Sequence, residues 1–133
     1  MKVISTAVGI IHDGEWFLLV KKKGKWIGWQ FIQGAQEKGE TKEEAVLREA
    51  KEETGLDCII ERKLRSKRDY WFTVEGEKIH KLLTFFLLKT KKTGNVRVSE
   101  EHSTFAWCKK EEVPLLVKYN KDVAEQAIEK YIP

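Results

Sequence analysis

The chain has 133 residues, 41% hydrophobic and 35% charged, with two prolines, nine glycines and a formal charge of +4. That composition excludes collagen-like repeats, low-complexity disorder and a disulfide scaffold, and no apolar run approaches the ~20 residues of a membrane-spanning helix. Cys58 and Cys108 are too few for a framework and lack metal-ligand spacing, so one reduced cytoplasmic domain over residues 1–133 is expected.

The opening MKVISTAVGIIHDG reads as a first strand and not a signal peptide, because Asp13 follows at once and no small-residue cleavage site is present. Residues 3–11 and 16–21 form two strands around a turn at His12-Asp13-Gly14. A loop rich in Gly, Lys and Trp follows, then a short extended piece ending at Gly34. From Thr41 the pattern turns helical: Thr41 with Glu44 three residues on is a capping box, and Gly55 suits the position just past the helix end. Strands are expected at 57–64 and 69–74, then a Glu75-Gly76 turn and a long strand from Ile79 to Leu88, so that 70–88 is a hairpin. A short strand at 104–108 and helices at about 110–118 and 121–131 complete the pattern, which indicates a mixed sheet flanked by helices.

Charge is unevenly placed. Residues 37–53 hold seven glutamates against four basic residues, a local −3 that leaves +7 on the remainder. An acidic knot on a basic body suits a metal site that handles a polyanion, although a solvated acidic helix gives the same count. At about 100° per residue, Glu49, Glu52 and Glu53 share one helix face beside the apolar arc of Val46, Leu47, Ala50 and Thr54. Carboxylates so placed repel one another, and a hard divalent cation relieves the repulsion; Mg²⁺ or Mn²⁺ prefers such oxygen ligands. A salt-bridged surface helix partnered by Lys42, Arg48 and Lys51 is the plain alternative.

The wider spacing favours the metal. Gly34, Glu40, Arg48, Glu49, Glu52, Glu53 and Gly55 fill every fixed position of G-x5-E-x7-R-E-U-x-E-E-x-G-U, with Ala50 and Leu56 at the aliphatic places. Chance would give seven such matches about once in 10⁸ registers. This segment resembles the Nudix box, and the chain is identified as a member of the Nudix hydrolases. The resemblance implies an α+β fold, an α/β/α sandwich around a mixed β-sheet. It implies metal ligation by Glu49, Glu52, Glu53 and the Gly34 carbonyl, with Arg48 orienting the glutamates and Glu40 outside them. The run Glu101-His102-Ser103-Thr104-Phe105-Ala106-Trp107 is similar to E-H-x-x-[FY]-x-W of asymmetrical diadenosine tetraphosphate hydrolases, and points to Glu101 as a further metal ligand or base.

Substrate signals are mixed. Trp29-Gln30-Phe31-Ile32-Gln33-Gly34-Ala35 is similar to W-Q-[FM]-P-Q-G-G of RNA 5′-pyrophosphohydrolases and dinucleoside polyphosphate hydrolases, with Ile32 for the proline and Ala35 for the second glycine. Tyr70-Trp71-Phe72 and the run from Lys81 to Phe86 resemble the hairpin of small diadenosine tetraphosphate hydrolases. By that resemblance Lys81 contacts phosphate and Phe85 stands where a tyrosine stacks on adenine, with Tyr70 a further substrate-binding candidate; sheet packing is the alternative for Tyr70, Phe85 and Phe86. Trp26 and Trp29 flank the Gly-rich loop, where an indole is less easily explained as core, and one of them, Trp29 by preference, is expected to border the pocket. The expected activity is metal-dependent cleavage of a nucleoside polyphosphate, diadenosine tetraphosphate to ATP and AMP. The alternatives are an RNA 5′-triphosphate pyrophosphohydrolase, using the basic residues at 62–68, and a non-catalytic nucleotide sensor. A small-molecule substrate is expected, with no membrane or protein partner.

Overall fold

The computed structural model describes residues 1–23, 28–90, 96–98 and 102–133. Its elements run β1 (Lys2–His12), β2 (Trp16–Lys22), β3 (Trp29–Gln30), β4 (Ile32–Ala35), α1 (Lys42–Thr54), β5 (Cys58–Val74), β6 (Glu77–Thr90), β7 (His102–Lys109), α2 (Val113–Leu116) and α3 (Lys121–Tyr131). Apolar residues at successive positions make β1 a strand buried on both faces: Ala7 and Ile11 look one way, Val8 and Ile10 the other. Such a strand needs neighbours on both edges. β6 runs parallel to it from Lys2↔Ile79 to His12↔Lys89, while β2 and β4 pair with it antiparallel. The sheet order is β3-β2-β1-β6-β5, with β4 on β1 and β7 on β2.

Each sheet face carries a core and a helix. On one, Ala45, Val46 and Ala50 of α1 pack with Ile11, Ile32, Phe86 and Leu88. On the other, Val123, Ala124 and Ala127 of α3 pack with Ile10, Phe31, Phe85 and Leu87. Helices on both sides of a mixed sheet are the expected α+β sandwich.

The local signals explain where α1 begins and ends. Thr41 accepts the Glu44 backbone N–H at 3.0 Å, and Glu44 accepts that of Thr41 at 3.0 Å. Gly55 closes the helix at φ 76°, a left-handed conformation that costs glycine nothing. The hairpin turn has positive φ at both Glu75 (49°) and Gly76 (81°), as a two-residue primed turn requires.

Two expectations are corrected. The strands at 57–64 and 69–74 are one strand, β5, whose basic middle is accommodated by register shifts between Ile60 and Arg62 and between Lys63 and Lys67. Extra residues bulge out and the ladder resumes. The helix at 110–118 shrinks to Val113–Leu116, since Pro114 in its first turn fits a start and the chain leaves helix at Val117 (ψ 134°).

Candidate active site

The helix α1 carries Arg48, Glu49, Glu52 and Glu53, and the loop before it carries Glu40. The Arg48 guanidinium gathers them. Its Nε donates to Glu40 Oε2 at 2.7 Å and Nη2 to Glu40 Oε1 at 3.1 Å, a two-pronged pair. Its Nη1 donates to Glu49 Oε1 at 2.8 Å and to Glu52 Oε2 at 3.1 Å, and Nη2 also reaches the Ala35 carbonyl at 3.0 Å. One cation thus fixes three carboxylates and ties them to the end of β4. The hydrogen bond from Arg48 holds the Glu40 carboxyl below the ordinary carboxylate range. The same bond, followed by those to Glu49, raises Arg48 further above its already high value.

Gly34 and Glu49 are fitted to each other. A Cβ on Gly34 would stand 1.9 Å from Glu49 Cδ, so the carboxylate occupies the space any side chain would need. Glu53 turns inward, 4% exposed, with Oε2 shut from solvent. Carboxylates are rarely buried this deeply, which makes Glu53 the most enclosed acid of this helix face. Among the described residues no three acidic, histidine or cysteine side chains already surround a common point, and Arg48 Nη1 bridges Glu49 and Glu52. The donor chemistry nevertheless fits a hard cation: Glu49, Glu52, Glu53 and the Gly34 carbonyl offer only oxygen, and Gly34, having no side chain, lets the Glu49 carboxylate lie against β4.

A cleft of about 560 Å³ opens on the opposite face of β4, between the β5–β6 hairpin and the entry to α3. Gln33 lines it, and the next residue, Gly34, faces Glu49, so β4 is the wall between cleft and carboxylates. Tyr70 and Lys81 are cross-strand partners there, with Lys81 Nζ 5.6 Å from the centre of the Tyr70 ring. Both were expected from sequence and both line the cleft.

Phe85 and Trp29 are not brought to it. Phe85 is 0% exposed inside the α3-side core, and that burial leaves no ring face for a base. Trp29 is half-buried against the same core, its carbonyl accepting the Lys118 N–H at 2.8 Å, and it is not part of the cleft lining. Glu101 lies outside the described residues. Sequence reasoning missed Tyr119 and Asn120, which line the cleft from the α3 side. They follow no spacing that links them to the box; Asn120 as the residue before a helix was the one available signal.

A model of the NUDIX domain matches residues 2–131. The chain belongs to the Nudix family. It is 29% identical over 116 residues to a Mycobacterium tuberculosis protein named MutT4, a match covering 84% of this chain and 46% of MutT4. The chain therefore spans about half the length of that relative. The E. coli dihydroneopterin triphosphate pyrophosphohydrolase superposes with a TM-score of 0.72 at 20% identity, over 96% of this chain and 94% of that one. A C. elegans Ap4A hydrolase superposes at 0.69 and 22% identity, over 93% and 98%. These likenesses speak for the fold, the Nudix fold with its mixed sheet and helices.

Proposed function

We propose that this Nudix hydrolase cleaves a phosphoanhydride of a nucleoside polyphosphate, diadenosine tetraphosphate to ATP and AMP, with residues 1–133 acting as one catalytic unit. The observation that carries the reading is the Arg48 fork: it gathers Glu40, Glu49 and Glu52 on the far side of β4 from a cleft lined by Lys81 and Tyr70. Glu49, Glu52, Glu53 and the Gly34 carbonyl would hold Mg²⁺ or Mn²⁺, with Glu101 as a further ligand or base. When bound, such an ion activates water and neutralises phosphate oxygens. Arg48 orients Glu49 and Glu52, and a glutamate of the set (Glu52, Glu53 or Glu101) takes the proton of the attacking water. Lys81 receives phosphate charge, and Tyr70 offers a ring to the base.

The exposed basic residues of β5 give the second reading, an RNA 5′-triphosphate pyrophosphohydrolase, its own observation. Product analysis separates the two. Release of ATP and AMP from diadenosine tetraphosphate, exceeding pyrophosphate release from triphosphorylated RNA, supports the first; the reverse order replaces it with the second.

A further inference from the structure

Two cations stand on one wall of the cleft. Arg68 pairs with Leu83 and Tyr70 with Lys81 in the β5–β6 ladder, so Arg68 and Lys81 are diagonal neighbours on one sheet face, both lining the cleft. Like charges at such a spacing repel unless an anion lies near them. An anion is present: the Arg68 guanidinium is met by the carboxylate of Asp122, in the first turn of α3. This contact joins the two walls of the cleft, for Tyr119 and Asn120, just before α3, line it from the other side.

The contact is weak by construction. Both side chains are about half exposed, 45% and 57%, and an ion pair so wetted adds little to stability. A guanidinium binds phosphate through two parallel hydrogen bonds, and a polyphosphate brings several negative charges where Asp122 brings one. We propose that Arg68 is a phosphate-binding residue of this cleft, and that Asp122 is its internal competitor, displaced by the polyphosphate chain of the substrate. The inference rests on the reading of the cleft as a nucleoside polyphosphate site. Asp122 then does two things: it quiets the charge of the empty cleft and sets the threshold a ligand must exceed. Ligands with one phosphate displace it poorly, and ligands with four displace it well.

The test is equilibrium binding, with Mg²⁺ present, of a non-hydrolysable diadenosine tetraphosphate analogue and of adenosine monophosphate, so that nothing turns over. Asp122→Asn is expected to tighten tetraphosphate binding about threefold, and Arg68→Gln to weaken it about tenfold, with Arg68→Lys between wild type and Arg68→Gln. The double variant should match Arg68→Gln alone, because removing the competitor has no effect once the arginine is gone. Monophosphate binding should move by less than about twofold in every variant. Asp122→Asn binding no more tightly than wild type, or additive effects in the double variant, overturns the proposal while leaving the cleft reading standing. A wild-type protein that binds neither nucleotide removes both.

Discussion

Gly34 shows how closely the proposed centre depends on single atoms. A methyl group there would sit 1.9 Å from Glu49 Cδ, so Gly34→Ala must push the carboxylate out of place. Misplacement of that size is expected to lower turnover about 100-fold while the melting temperature falls by only a few degrees; turnover near wild type would mean that Glu49 is not held for catalysis. Glu40 gives a pH signature. Its carboxyl is held below the ordinary carboxylate range, chiefly by the hydrogen bond from Arg48, so its contribution is present above that range and fades as pH falls through the depressed value. Denaturant titrations of wild type and Glu40→Gln should therefore separate at neutral pH, with wild type the more stable, and converge as pH falls below the ordinary carboxylate range. Phe85 was legible as an aromatic in the hairpin, but its face was not. In the alternation of β6, Lys81 and Phe85 share a side of the sheet; Lys81 falls beyond the core and Phe85 inside it, against Val8. Phe85→Tyr is thus expected to lose about 1–3 kcal/mol by burying a hydroxyl, with no gain in nucleotide affinity.

At the scale of elements, the box could be read in advance because its chemistry is local. Capping residues, helix period and glycine positions are set by neighbours within one turn, and α1 runs from Lys42 to Thr54 behind its Thr41 cap as the sequence indicates. Thr41→Ala removes one side of that reciprocal cap and should cost about 1 kcal/mol in chemical denaturation. A cost near zero would show that α1 is held by its packing on the sheet alone. β5 was harder to read. Its basic middle looks like a break, yet an edge strand tolerates charge and bulges that a central strand does not. The cleft was least legible, since Tyr119 and Asn120 meet Tyr70 and Lys81 only through the folding of distant segments.

Across the whole molecule, the sheet separates two tasks. The α1 side gathers acids around Arg48, the α3 side offers a cleft with Lys81 and Arg68, and β4 passes between them. A polyphosphate seated in the cleft by its nucleoside end would present its anhydride at the β4 margin, where the Glu49 carboxylate lies against Gly34. The central claim is that the buried acid of α1 takes part in that hydrolysis. Glu53→Gln, which removes a charge at nearly constant shape, tests it most directly when turnover is measured with Mg²⁺ over a panel of phosphoanhydrides. The account expects a loss of about 100-fold or more with the melting transition retained; turnover at the wild-type rate on every substrate cleaved would contradict it.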